Sequence, residues 1–335
     1  MNDTLIQIIT SIVTSIIAAF IFWFFVNYLP ERSRYNKIRP KLEYDIYEIC
    51  SSLFHFIEIP LRSNTYSPAN NQAKLFAGML NLDDFELALY TKCLNDSYKF
   101  DKVASCLVPI GDELESLSLD ICQKAQQLYV FNQYLTVEEI LLIRKVTVKL
   151  RAYSYNSVAA IEVGNQTLYP INPTMSYMCR NFYDIYLFFV QLQEIVFKYK
   201  KIDDTISGSI KRTISARRIM NYCHRGEYEQ CLKYAKKSDD NLVWAYKFIS
   251  LYKTNKEASA VFFLKQQLQT SNLELKYLRD TFYDFYKDEI LKNILISCRS
   301  MTEYKEMADC IESEQNYSNQ MILHAQNIRK YYKEK

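Results

Sequence analysis

Between Thr4 and Pro30 the chain carries no charged side chain and is rich in Ile and Phe, whereas everything after it has the mixed polarity of a water-soluble protein. As a helix rising ~1.5 Å per residue, the apolar part from Leu5 to Val26 is long enough to cross a hydrocarbon core of roughly 30 Å. No later segment repeats this signal. The run therefore predicts one retained transmembrane helix and a large non-membrane part. A cleavable signal peptide fits less well. Met1 to Thr4 lacks Lys and Arg, the apolar core is too long, and no small-x-small cleavage site lies between Phe24 and Pro30.

Charge sets the expected orientation. Arg32, Arg34, Lys37, Arg39 and Lys41 follow the run, and Asp3 is the one charged side chain before it. The positive-inside rule then places the N-terminus outside and the long C-terminal part in the cytoplasm. Trp23, Tyr28 and the basic residues, with Arg32, Arg34 and Lys37 foremost, are expected at the inner headgroup layer, where amphipathic rings and cations reach both phases. The composition suits a bacterial chain, so the inner membrane is the expected location. Nine scattered cysteines with no paired framework fit reduced thiols in a cytoplasmic setting.

Inside the run, Ser11 and Ser15 stand four apart, Ala18 and Ala19 follow one turn on, and Gln7 precedes them on the same face. Small residues at this spacing let helices approach closely, and a Gln can hydrogen-bond across the contact, which points to a homo-oligomer. The alternative is that the serines simply bond back to their own helix.

A chain of 335 residues with 49% hydrophobic and 24% charged content has ample material for a core, expected in two helical units. Only five glycines and seven prolines occur, and every proline lies at or before Pro173, so the second half holds no strong helix breaker. The expected class is all-α: an anchor over residues 1–30, a helical bundle over 31–205 and helical hairpins over 206–335. A net charge of +3 is too small for a general nucleic-acid binder.

After Pro40, residues Leu42, Ile46, Ile49, Leu53 and Phe56 recur at steps of four and three, which predicts one face of a helix ending near Ile59. Pro60 and the polar stretch from Arg62 to Asn71 break it. Lys74 to Tyr98 reads as one helix, or two meeting at the capping residues near Asn81. Pro109 and Gly111 introduce a helix whose face is Leu114, Leu117, Ile121, Ala125 and Leu128. Thr136 and Glu139 form a capping box for a helix expected to reach Ile161. Gly164 to Pro173 reads as a loop, and a last bundle helix carries Tyr183, Tyr186, Leu187, Val190, Ile195 and Phe197. Its apolar stretch from Ile185 to Leu192 is too short for a second span.

From Thr213 the helices shorten. Gly226 with Tyr228 two residues on and Cys231 five residues on resembles the turn of a tetratricopeptide repeat, in which a glycine joins two antiparallel helices. Trp244, Phe248 and Leu251 with Ala260 and Leu264 resemble a second copy whose turn, Thr254 to Lys256, lacks the glycine. Leu291, Ile294, Leu295 and Cys298 with Tyr304, Met307 and Ile311 resemble a third. The resemblance implies a stacked solenoid with a concave surface for a protein partner, and no catalysis.

Patterns for chemistry are sparse. His55, His224 and His324 are far apart, no zinc pair or phosphate loop occurs, and no cofactor is expected. Cys223, His224 and Cys231 are too few for a metal site. Arg218 and His224, five residues between them, resemble the Arg-x-x-x-x-x-His pattern of helical HEPN-type ribonucleases, which implies a membrane-tethered nuclease as one alternative. A basic cluster that includes Lys211, Arg212, Arg217, Arg218 and Arg225 offers a partner or anion surface, with a plain solvated face as its rival. Nucleic acid ranks last as the ligand, since the tyrosines do not interleave with these cations as a stacking platform. The expected function is a non-enzymatic, membrane-anchored binder of a protein partner. The chief alternative is an oligomerising effector that disrupts the bilayer on a cytoplasmic signal.

Overall fold

Nothing between Asn2 and Leu61 is strong enough to stop a helix. The computed structural model, which describes residues 2–61, 74–101, 103, 105–155, 161–163, 166–168, 174–203, 210–236, 243–270 and 285–334, shows a single rod there. It consists of α1 (Asn2–Trp23), a π-helical turn (Phe24–Tyr28) and α2 (Leu29–Leu61). At ~1.5 Å per residue the rod is roughly 90 Å long. The stretch from Gln7 includes the one helix among the described residues that is apolar and long enough to cross a membrane, and none of its apolar window is buried.

Pro40 was expected to precede a helix and instead lies inside α2, as does Pro60. A proline there removes one backbone hydrogen bond. The burial of the following face offsets that loss: Leu42, Ile46, Ile49, Leu53 and Phe56 are all core residues. The Pro40 carbonyl is also used, accepting from the Asp203 amide at 2.9 Å.

The bundle is completed by α3 (Leu82–Leu89), α4 (Ile110–Tyr129), α5 (Val137–Leu150) and α6 (Cys179–Val196). The helix α2 packs on α4 and α6, α5 packs on the same two, and α3 lies against α6. Aromatic rings fill the centre. Phe56 stacks on Phe182 and meets Tyr155 edge-on, both with centroids 5.2 Å apart. The apolar stretch in α6 is buried through Ile185, Phe189 and Leu192, as a core helix requires. Its core face is led by Phe182, Ile185, Tyr186, Phe189, Leu192 and Val196, while Leu187 is exposed and Tyr183 and Val190 are half-buried.

Two helices are shorter than their patterns suggest. The segment from Lys74 is helical only over 74–77. Gly78 then turns with φ +73°, and α3 restarts behind an Asn81–Asp84 capping box and ends at Leu89. The amide of Cys93 bonds to the Asp96 carboxylate, and β1 (Ser97–Asp101) pairs antiparallel with β2 (Cys106–Pro109) where helix was expected as far as Tyr98. Likewise α5 stops at Leu150, not near Ile161, because Tyr155 is drawn into the core. Its amide donates to Glu115 at 3.0 Å, and Asn181 donates to its hydroxyl at 3.2 Å. Ile161–Val163 (β3) pairs with Gln166–Leu168 (β4), so the expected loop from Gly164 holds part of a hairpin. Residues 62–71, 164–165 and 169–173 lie outside the described residues. Among the described residues the chain is all-α but for these two small hairpins.

The C-terminal part contains α7 (Ile210–His224), α8 (Tyr228–Ala235), α9 (Trp244–Lys253), α10 (Glu257–Thr270), α11 (Glu289–Cys298) and α12 (Met301–Lys333). Short turns join α7 to α8 and α9 to α10. Gly226 adopts φ +77° in the first and Asn255 φ +58° in the second, so asparagine, a residue that tolerates the left-handed region, takes the glycine's place. Phe248, Ala260, Leu264, Leu291 and Ile311 form the centre of a separate core. The helix α12 is far longer than a repeat helix and reaches back to α3.

Candidate functional site

Arg39 lies three turns beyond the apolar segment and is 5% exposed, so it does not face outward with the other basic residues that follow the run. Its guanidinium turns inward. Nη1 and Nη2 donate to the two carboxylate oxygens of Glu139 at 2.9 and 2.5 Å, Nε donates to Glu43 at 3.1 Å, and Nη1 also reaches the Tyr134 carbonyl at 3.1 Å. Glu139 accepts in addition from the Thr136 amide at 2.8 Å and from the Tyr199 hydroxyl at 2.7 Å. The remaining Glu43 oxygen accepts from the Lys201 amide at 3.0 Å.

This cluster ties together three parts of the chain: the rod, the start of α5 and the connector 197–203 that leads out of the bundle. Thr136 and Glu139 form the capping box expected from the sequence, with the Glu139 amide donating to the Thr136 hydroxyl at 3.2 Å. The second role of Glu139, as counter-ion to a buried arginine, gives no local signal. Nor does the Arg39–Tyr199 contact, in which the guanidinium sits 5.4 Å from the ring centroid.

Burial alone would raise the Glu139 carboxyl. The hydrogen bonds from Arg39, Thr136 and Tyr199 outweigh it and hold the group below the ordinary carboxylate range. Burial opposes the Arg39 charge too, yet Glu139 and Glu43 push its proton affinity up. The Tyr199 phenol is raised by burial and by the adjacent Glu139 charge, so it remains a donor. The site is a charged joint with its hydrogen bonds made.

The proposed anion surface is divided. Lys211 and Arg212 are exposed on α7. Arg217 instead lies over Tyr47, Phe54 and Phe76 at 5.7–5.9 Å from their centroids. Arg218 is 4.0 Å from the Tyr234 ring centroid and donates to the Phe197 carbonyl at 2.9 Å. Arg225 donates to the Ala77 carbonyl at 2.8 Å and pairs with Glu194 at 2.7 Å. These three arginines stitch α7 to the bundle, helped by Asn221, which reaches the Phe76 carbonyl at 2.5 Å.

His224 meets Tyr246 edge-on at 5.5 Å, so the two residues of the Arg-x-x-x-x-x-His pattern are held by different neighbours. Cys223 and Cys231 both lie 3.8 Å from the Tyr246 carbonyl oxygen. A hydrogen bond with Cys231 and burial together push the Cys223 thiol up. No group of three or more His, Cys, Asp or Glu suited to a metal ion occurs among the described residues.

On α1, Gln7, Ser11, Ser15, Ala18 and Ala19 are all exposed, and the Ser15 hydroxyl donates to the Ser11 carbonyl at 2.9 Å. The stripe is present on the helix surface while one of its hydroxyls bonds internally. Below it the rings of Trp23 and Tyr28 lie 5.6 Å apart, and Arg32 donates to the Tyr28 hydroxyl at 2.8 Å. Arg34 and Lys37 are exposed. Comparisons of the chain with known protein families, with curated proteins and with solved structures found no match.

Proposed function

We propose that this chain is a single-span membrane protein, non-enzymatic, whose cytoplasmic helical part binds a protein partner. One observation carries the reading: an apolar helix with an unburied surface runs without a break into α2, the central helix of the bundle. Water disfavours so much exposed apolar surface, and a bilayer accommodates it. The orientation follows from the basic residues after the span, with the N-terminus outside and the bundle in the cytoplasm of a bacterial cell. Alkaline extraction of membranes tests the anchor, and release of the protein into the soluble fraction would count against it.

Partner binding rests on the C-terminal hairpins. Their left-handed turns at Gly226 and Asn255 fit the tetratricopeptide resemblance, and Phe262 on α10 is 71% exposed. A photo-crosslinking residue at Phe262 or Lys211, introduced into the full chain in native membranes, should capture a defined protein. Failure to crosslink at either position would remove the main support.

The Arg39 junction favours a second reading, the bilayer-disrupting effector. A rod clamped at Arg39 passes a displacement of the connector 197–203 directly to the span, with Ser11, Ser15 and Ala19 as the face on which copies would assemble. Under this reading, induced expression depolarises cells, and Ser11→Leu with Ser15→Leu reduces the effect. Undiminished depolarisation in that variant would remove the stripe from the mechanism.

A further inference from the structure

The loop between α4 and α5, residues 130–136, has no charged residue; Tyr134 and Leu135 pack against the bundle core, while Val130 and Phe131 point outward. Val130 is 74% exposed, Phe131 41%, and Val137, which opens α5, 74%. A loop in contact with water alone is ordinarily polar, and a clustered apolar tip marks a contact surface.

Its position identifies the surface. The Tyr134 ring lies 6.4 Å from Tyr35, and Gln133 and Tyr134 form one wall of a groove of about 350 Å³ whose other wall runs from Val26 to Tyr35. Val26 is the last apolar residue of the span. The loop therefore stands beside the first ~13 Å of the rod beyond Val26, the stretch that leaves the hydrocarbon and passes a headgroup layer roughly 5–8 Å deep.

The surrounding charge agrees. Arg32, Arg34 and Lys37 project from the rod, and Lys198 and Lys200 are exposed on the connector. Lys201 sits at the same level, bonded to Asn36 at 2.7 Å and lying 5.6 Å from the Tyr35 centroid. Among the described residues Glu31 and Glu138 are the exposed acids nearby, while Glu43 and Glu139 are buried against Arg39. An apolar tip within a basic rim matches the interface of an anionic bilayer.

We propose that residues 130–137 make a second contact with the membrane: Val130, Phe131 and Val137 enter the interfacial layer, and the lysines of the connector lie on anionic headgroups. The bundle is then seated on the bilayer instead of hanging from a tether, with the Arg39 junction ~20 Å along the rod from Val26. This inference rests on the span reading above.

The test uses full-length protein in vesicles containing lipids brominated at shallow acyl positions. In the native chain, quenching of Trp23 reports the span. In a Trp23→Phe, Phe131→Trp double variant, the new indole should lose emission beyond the Trp244 background measured with Trp23→Phe alone. Adding Lys198→Glu and Lys200→Glu should weaken that loss in anionic vesicles and leave it unchanged in zwitterionic ones. If Trp23 is quenched in the native chain and the indole at 131 is not, the loop proposal is overturned and the span stands. If Trp23 itself is not quenched, the span reading fails and the proposal with it. An undiminished loss in anionic vesicles after the lysine changes would overturn the role of the basic rim.

Discussion

Arg39 of α2 and Glu139 of α5 form a two-pronged buried ion pair across 100 residues of chain, with Nη2 to Oε1 at 2.5 Å and Nη1 to Oε2 at 2.9 Å. Two charges taken out of water are tolerable only when their remaining bonds are made, and here Thr136, Tyr199, Glu43 and the Tyr134 carbonyl make them. The pair thus acts as a joint between the N-terminal rod and the rest of the bundle.

Removing one partner strands the other. Arg39→Ala or Glu139→Ala is expected to lower stability by about 3–5 kcal/mol. Tyr199→Phe, which removes one hydrogen bond to a charged acceptor, should cost about 1.5–3 kcal/mol. Denaturant unfolding of the detergent-solubilised full chain measures all three, and a loss under about 1 kcal/mol for Arg39→Ala would show that the joint is weakly coupled to folding.

The joint also sets a pH response. Glu139 is held below its unfolded value of about 4.3, so its contribution is complete above that pH and is lost as pH falls through the folded value. Tyr199 is raised, so its contribution is complete below about pH 10 and declines as pH rises above that. Thermal melts against pH should therefore show an acid limb that is diminished in Glu139→Gln. The alkaline limb should be diminished in Tyr199→Phe, and unchanged limbs in these variants would assign the response to other groups.

Gly78 occupies the seam between α7 and the bundle. An added Cβ would meet Val190 Cγ1 at 3.1 Å and Arg225 Nη2 at 3.3 Å, on a backbone at φ +73°. Gly78→Ala is expected to destabilise by about 1–2 kcal/mol or more, the left-handed strain alone supplying that amount. Asn255→Gly, at a turn that already tolerates positive φ, should be within about 0.5 kcal/mol of neutral. Paired unfolding curves for the two variants test the contrast.

The far end of the chain returns to the bundle. Arg329 pairs with Glu86 at 3.3 Å and Asp83 at 3.5 Å, and Lys333 pairs with Glu86 at 2.9 Å. These partly exposed pairs are worth about 0–1 kcal/mol each and weaken with salt. Glu86→Lys, or high salt, should speed limited proteolysis near the end of α12 without a large change in global stability. Salt-independent cleavage would show that the clasp is held by other contacts.

Local patterns were legible wherever a segment makes its own case. The uncharged run, the Leu42 to Phe56 face, the Thr136–Glu139 box and the Gly226 turn each depend on residues a few positions apart, and each stands in the structure. Arg39 reads as one more outward-facing cation after the uncharged run, because nothing nearby in sequence announces Glu139 or Tyr199 as its partners. Arg217, Arg218 and Arg225 read as a surface cluster for the same reason, since the rings and carbonyls they contact belong to distant segments.

Periodicity and spacing act over one or two helical turns, so they specify which face of an element is apolar and where it can begin. They also suffice for the apolar rod, because solvent alone selects its environment. Which face covers which depends on contacts between residues far apart in the chain, and such contacts drew Tyr155 into the core past the end of α5 at Leu150, carried α2 through Pro40 and buried Arg39. Folding in three dimensions thus turned a basic residue that reads as outward-facing into the pin that joins the N-terminal rod to α5 and the connector.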